Sequence, residues 1–442
     1  MSYELGKLLI KQKKFKQALK YFQTILKNKK NDLRANFQIG KIFYELNDLH
    51  KSFAYFKKCK KLKSNDPNIL FNYALVLQNI GEIEQAKKEY LNLISINPKD
   101  IKSYYALSSI NIDYITNELS ANLKFLNQSK SLSDYERSLI NFIFSKIEKK
   151  KHNLENEIEY LKKSHKLCNE ANKAYNAQSN YYYTNIISKK FNKIKFEGEF
   201  NKIDNFNNNN HIFIIGLPRS GSTLVETIIA HNANEIVSVG EFHAFNTSIL
   251  EQIGGLIYSK NFNQNNFELK INNKQFQNSL VEKYDNFQKK IYLDKSLENF
   301  FNIESILNFF PNSKFIHTFR DTDDAIIGIY QTMLPELSWS HNLKHIISYI
   351  KIYKSTIEYF KKRYPNAIID VDLSKLTNHK ETEVKKILEF CKIKYTENYL
   401  NYEKNEKLFN KTNSFLQVKE KIKSYRNNKY KSYYYLLDNI RK

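Results

Sequence analysis

Through the first two hundred residues, apolar side chains recur at steps of three and four, as in residues 136–149 and 154–168, which puts them on one face of a helix. A polar run from Asn201 to Asn210 interrupts this pattern, and the texture then changes. Short β-rich runs at 211–215, 290–293, 314–319 and 367–371 are each followed by a helical stretch, at 224–230, 303–309, 324–334 and 381–391. Strand and helix alternating in this way predict an α/β domain with a parallel central sheet. The expected organisation is a helical domain over 1–200, a linker over 201–210 and an α/β domain over 211–442.

The helical part repeats itself. Gly6, Gly40 and Ala74 are spaced by 34 residues, and so are Phe15, Leu49 and Ile83, then Ala18, Ser52 and Ala86, then Phe22, Phe56 and Tyr90. That step is the tetratricopeptide period. Small residues recur where two antiparallel helices cross closely, and large apolar ones where each pair packs on the next. A fourth unit starts near Asn97 and Pro98 with the register slipped, so clear repeats occupy 1–110 and degenerate helices 111–200. The fold expected is an amino-terminal all-α tetratricopeptide-type solenoid followed by a P-loop-like α/β domain. Stacked helix pairs present a concave surface, so the solenoid is either a structural stalk or a platform for a protein partner. Because the chain opens inside the first helix of a repeat, an uncapped apolar face at that end is a further expectation.

Composition adjusts this picture only slightly. The 442 residues carry a net charge of +24. Lysines are spread along the predicted helices rather than clustered, which points to solvated faces and away from nucleic acid as a partner, while a basic surface still favours a polyanionic ligand. Cys59, Cys168 and Cys391 lie far apart and make neither a zinc pattern nor a disulfide framework. No metal-ligand spacing of His, Cys or carboxylates occurs, and no metal is expected. The amino terminus alternates apolar residues with lysines, unlike a signal peptide, and no 18-residue apolar run occurs. A soluble, cytoplasmic protein is the expectation.

The chemistry concentrates at Gly216-Leu-Pro218-Arg219-Ser220-Gly221-Ser222-Thr223, which follows an apolar strand and precedes a helix. It has the Gly-x4-Gly frame of a nucleotide-binding loop, in which backbone N–H groups and a helix amino terminus hold phosphate. Ser222 stands where nucleotidases carry the lysine that reaches the β- and γ-phosphates. A triphosphate with magnesium is therefore a poor match, and a lone 5′-phosphate bearing another group is a better one.

With these residues the chain resembles the 3′-phosphoadenosine 5′-phosphosulfate-dependent sulfotransferases, in particular bacterial proteins joining tetratricopeptide repeats to a domain related to tyrosylprotein sulfotransferases. Pro218 through Thr223 resemble that family's 5′-phosphosulfate loop. Lys314 through Asp321, ending a strand in Arg320, resemble its second signature, whose arginine binds the 3′-phosphate. An arginine at the carboxyl end of a parallel strand also lies where open α/β sheets bind ligands, although an Arg-Asp pair there serves equally as a local salt bridge. The family places serine eight residues after this arginine, where the chain has Gly328, and Thr322 replaces its usual proline. Near the carboxyl end, Thr412 through Lys419 resemble a segment that closes over the cofactor, with Lys419 in place of arginine. Tyrosines in 425–433 stand where a tryptophan is common.

Sulfuryl transfer needs a base for the acceptor and a cation for the leaving oxygen. The resemblance implies Glu241 as the base, with His243 the second choice, and Lys295 as the cation, with Asn299 completing the pattern. A surface carboxylate, a packing histidine and a chance lysine are the plain alternatives. The expected function is transfer of a sulfuryl group from 3′-phosphoadenosine 5′-phosphosulfate to a hydroxyl or amine of a peptide, glycan or small molecule. A repeat scaffold that binds nucleotide without catalysis and a P-loop kinase are the rival classes.

Overall fold

The computed structural model describes residues 3–198, 211–230, 236–257, 269–284, 291–404, 424–425 and 427–441. Two compact units are present, Met1–Lys173 and a second comprising Ala174–Leu408 with Gln417–Lys442.

The first unit opens with three helix pairs, Tyr3–Lys11 with Phe15–Asn28, Leu33–Glu45 with Leu49–Leu62, and Pro67–Ile80 with Ile83–Ile96. Aspartates start several of them: Asp32, Asp48 and Asp66 accept hydrogen bonds from exposed N–H groups of the following turn, and Pro67 occupies the first position after Asp66, where no N–H is required. The 34-residue series are the packing contacts. A Cβ on Gly6 would lie 2.3 Å from Phe22, and one on Gly40 3.1 Å from Phe56, so the small residue of the first helix seats the ring of the second. Ala18, Ser52 and Ala86 are fully buried, and Ser52 Oγ donates to the Gly40 carbonyl at 2.9 Å. Beyond the repeats the helices Asp134–Lys150 and Leu154–Ala171 pack on each other, the first begun by a Ser133–Glu136 capping box.

Seven strands occur among the described residues of the second unit: β1 (Lys195–Glu197), β2 (Ile212–Gly216), β3 (Ile236–Gly240), β4 (Lys270–Asn272), β5 (Ile291–Asp294), β6 (Lys314–Phe319) and β7 (Ile368–Asp372). β1 and β4 form a small parallel pair, and the main sheet is entirely parallel in the order β3-β5-β2-β6-β7. Every residue of β2 is buried, as expected for a central parallel strand covered on both faces. Ile212, Ile214, Ile316 and Val371 face Val225, Ile228, Ile387 and Leu388 on one side. On the other, Phe213 stacks on Phe315 with ring centres 5.4 Å apart and meets Phe245 edge-on at 6.0 Å.

Residues 174–197, expected with the solenoid, pack within the second unit instead. Tyr182 donates to Asn246 at 3.1 Å, the Tyr183 ring meets Tyr349 at 5.7 Å, and Phe196 lies against Phe276 and Phe309. Helical periodicity continues unbroken across Lys173, so it could not show which core the apolar face would join. The 21-residue helix Leu343–Arg363, absent from the predicted alternation, leads into β7. No helix among the described residues is long and apolar enough to cross a membrane.

Candidate transfer site at the carboxyl edge of the sheet

The loop after β2 is held by contacts that tolerate little change. Gly216 has φ of 144°, and a Cβ there would lie 2.3 Å from the Thr318 carbonyl oxygen on β6, so two backbones touch at that point. Arg219 and Gly221 are also left-handed, with φ of 67° and 89°, and a Cβ on Gly221 would meet Leu373 Cδ1 at 2.6 Å. Ser220 is turned inward: its Oγ donates to the Leu217 carbonyl at 2.6 Å and lies 2.9 Å from Thr318 Oγ1, bracing the loop against β6. Pro218 and Arg219 are half-buried at the turn. Ser222 and Thr223 begin the helix Ser222–Ala230, whose first N–H groups have no acceptor within the helix.

On the β5 side, the backbone N–H of Lys295 donates to the Gly240 carbonyl at 2.9 Å, which aligns the ends of β5 and β3. The Lys295 side chain is completely buried, with Nζ 2.6 Å from Glu241 Oε1 and 3.7 Å from Glu226 Oε2. Burial opposes its charge, but Glu241 and then Glu226 more than offset this, and the ammonium titrates above its usual range. Glu241 shows the complementary balance: desolvation opposes its charge, while Lys295 and then His243 hold its carboxyl below the ordinary value. About half of its side chain faces solvent (49%). His243 has φ of 53°, donates its backbone N–H to Ser296 Oγ at 2.7 Å, and places Nδ1 2.8 Å from Glu298 Oε1. Asn299 is wholly buried, and its Nδ2 has no hydrogen-bond partner among the described residues, which leaves a donor to be satisfied by a ligand or water.

On the β6 side, Arg320 folds back over the next helix, Thr322–Tyr330, and donates through Nη2 to the Asp324 carbonyl. Asp321 caps that helix, accepting from the N–H groups of Asp323 and Asp324 at 3.0 Å. Gly328 lies beneath the guanidinium, and a Cβ there would come 1.8 Å from Arg320 Nη2. Arg219 approaches from the loop. Burial chiefly lowers its pKa, with Tyr430 supporting its charge and Arg320 opposing it.

A cavity of about 440 Å³ opens between the loop and Arg320, lined among others by Leu217, Ser220, Phe319, His317 and Tyr353. His317 is fixed in its wall, with Nδ1 2.7 Å from Asp370 Oδ1 and Nε2 on the Tyr353 hydroxyl. Burial lowers the imidazole's pKa against the pull of Asp370. Asp370 is opposed by burial but is brought down to about 2 by His317 and Lys361. A cavity of about 480 Å³ bounded by Ile212, Pro311 and Lys314 lies at the opposite, amino-terminal edge of the sheet.

The structure thus orders the predicted residues along one edge: Glu241 after β3, Lys295 after β5, the loop after β2 and Arg320 after β6. Lys419 falls outside the described residues. Two groups escaped the sequence reading. Glu226, the only charged residue of the helix Ser222–Ala230, is buried and joins that helix to Lys295, and a carboxylate inside an apolar run was its available signal. Asp324 is fully buried and accepts from Tyr425 and Tyr434 hydroxyls and from the Lys429 and Tyr430 N–H groups, anchoring residues 425–434.

Comparison with known proteins finds two matching family models. The model of the sulfotransferase family matches residues 211–397, and that of the tetratricopeptide repeat matches 33–66 and 67–100. An uncharacterized protein of Aquifex aeolicus is 26% identical over 364 residues, covering 78% of this chain and 46% of its own length, so the chain spans about half of that relative. A sulfotransferase from Mycobacterium tuberculosis is 11% identical with a TM-score of 0.32, covering 65% of this chain and 92% of its own. A Thermobaculum terrenum O-GlcNAc transferase is 9% identical with a TM-score of 0.25, covering 76% and 47%. Superpositions that loose carry no weight for fold or function. The family models, set on the loop and strand ends described above, show that this chain carries a sulfotransferase-family domain at 211–397 alongside tetratricopeptide repeats at 33–100.

Proposed function

We propose that the α/β domain transfers a sulfuryl group from 3′-phosphoadenosine 5′-phosphosulfate to an acceptor hydroxyl or amine. The observation that carries this reading is Lys295, buried between Glu241 and Glu226 at the edge of a phosphate-type loop that has no lysine of its own. The residues present fit the donor. The loop N–H groups and Arg219 suit the 5′-phosphosulfate, Arg320 suits a terminal phosphate, and the unpartnered Asn299 Nδ2 supplies a further donor.

The donor brings the sulfuryl group and a phosphate leaving oxygen. Lys295 Nζ supplies the positive charge that steadies such an oxygen as charge grows on it. Glu241 Oε1 takes the acceptor's proton. In the structure those two groups neutralise each other at 2.6 Å; with the donor bound, Lys295 would turn toward its phosphate oxygen and leave Glu241 Oε1 to act as base. Glu226 keeps the ammonium charged through that movement. His243, held against Glu298, is placed to assist the acceptor side.

The solenoid is proposed to engage a peptide or glycan acceptor or a protein partner, which tetratricopeptide repeats suit by their concave stacking. One observation favours a non-catalytic nucleotide binder as the second reading: Arg320 is engaged with its own helix over Gly328, and the serine hydroxyl is absent. Calorimetric titration separates the readings. Binding of adenosine 3′,5′-bisphosphate without magnesium, with donor turnover on an acceptor panel, is the expected outcome. Preference for magnesium-ATP refutes the proposal in favour of a kinase, and binding without turnover in favour of the scaffold.

A further inference from the structure

The donor reading leaves one contact unexplained, since Gly328 offers no hydroxyl to a terminal phosphate beside Arg320. The structure places something else at that point. The volume a side chain at 328 would need is taken by the Arg320 guanidinium, and Tyr430 Cε2 stands 3.4 Å from the same imagined Cβ. Arg320 Cζ lies 5.5 Å from the Tyr430 ring centre and 5.6 Å from that of Tyr425, both within cation–π range. Both rings lie against the guanidinium. Its Nε is a buried donor with no hydrogen-bond partner among the described residues.

Tyr430 is itself held in place. Its backbone N–H donates to Asp324 Oδ1 at 2.9 Å, and its neighbour Lys429 donates to Oδ2 at 3.0 Å. Arg320, which lines the cavity, and the phenol beside it make a site for a dianion: the guanidinium supplies charge, and the phenol supplies a neutral O–H donor.

We propose that Tyr430 is a binding residue of this second anion site, and that its hydroxyl donates to the 3′-phosphate of the donor nucleotide in place of the side chain missing at 328. The inference rests on the donor reading above. It makes the carboxyl-terminal segment, docked through Asp324, part of the site rather than a plain basic tail. Any larger residue at 328 would displace the Arg320 guanidinium from its place beside Tyr430.

The test is calorimetry on the full chain and its Tyr430→Phe variant, each titrated with adenosine 3′,5′-bisphosphate and with adenosine 5′-monophosphate. Phenylalanine keeps the ring over Arg320 and the backbone bond to Asp324, so the tail stays docked and the melting temperature stays where it was. Losing a hydrogen bond to a charged group weakens bisphosphate binding about tenfold or more, while monophosphate binding is unchanged. Unaltered bisphosphate affinity, tighter binding, or an equal loss for both nucleotides overturns the assignment of Tyr430 alone. Wild-type protein that binds neither nucleotide overturns the donor reading and this inference with it.

Discussion

Replacing Lys295 by methionine tests the buried charge cluster, because the structure fixes how large the effect must be. Two carboxylates flank the ammonium at unequal depth. Glu241 is nearer, at 2.6 Å, but its side chain is 49% exposed. With near-bulk screening that pair is worth about 1.6 kcal/mol, while Glu226, at the buried end, attracts Lys295 with about 4.5 kcal/mol at an effective dielectric of about 20. The second figure takes the observed 3.7 Å separation and a Glu226 side chain only 3% exposed. Lys295→Met strips Glu226 of that partner and leaves a buried carboxylate whose bond from the Ser238 hydroxyl does not replace the lost charge. Breaking a buried pair on one side costs about 3–5 kcal/mol, whereas replacing both members by neutral groups is often nearly neutral. The prediction is a loss of about 3–5 kcal/mol for Lys295→Met and recovery of most of it in Lys295→Met with Glu226→Gln. Urea unfolding followed by tyrosine and tryptophan fluorescence, with all four proteins of the cycle, measures the coupling. A single variant as stable as wild type, or a double variant no better than the single, refutes the reasoning.

Gly216→Ala forces a Cβ to 2.3 Å from the Thr318 carbonyl at a φ of 144°; a loss of about 1–3 kcal/mol from backbone strain alone, with weakened nucleotide binding, is expected from thermal melting and calorimetry. The pH profile of kcat/KM follows from the directions of the two shifts. Glu241 serves as base when ionised, and its pKa is held below 4.5, so activity falls only as pH drops below that value; Lys295 stays charged past 10.5. An acid limb well above that value would instead rule out Glu241 as the base. Asp324→Asn removes a carboxylate that accepts from four groups of the carboxyl-terminal segment. Limited proteolysis should then cleave within 424–441, with a stability loss of about 3 kcal/mol or more, since each hydrogen bond to a charged group is worth about 1.5–3 kcal/mol.

Local chemistry made the loop readable in the sequence. Gly216, Gly221 and Ser222 sit within one turn of chain, and the apolar run before them could only be a buried strand. The repeats were legible for a similar reason, since Gly6 and Phe22 report a packing contact that recurs at a fixed step. The four expected strands end within a residue of β2, β5, β6 and β7, so Lys295 and Arg320 fell on one edge once the parallel sheet was assumed, whereas β3 was not foreseen and Glu241 was reached only through the family resemblance. What stayed hidden depends on partners far away in sequence. Glu226 reads as an oddity in a helix until Lys295 is placed beside it, and Asp324 as a helix-start acid until residues 425–434 arrive about a hundred positions later. Gly328 reads as a lost hydroxyl, whereas in the structure Arg320 fills its space. The change of unit at Lys173 was invisible because helical periodicity is the same on both sides, and contacts distant in sequence, such as those of Tyr182, Tyr183 and Phe196, assign the later residues to the second unit.

The most direct test of the transfer proposal is movement of radiolabelled sulfuryl from 3′-phosphoadenosine 5′-phosphosulfate to a panel of peptide, glycan and small-molecule acceptors, measured with a metal chelator present. Labelled acceptor from the wild-type chain, with transfer cut at least about a hundredfold by Lys295→Met, as expected for losing charge stabilisation in the transition state, is the predicted result. Transfer unchanged by that substitution, or no transfer to any acceptor while magnesium-ATP donates its terminal phosphate, contradicts it.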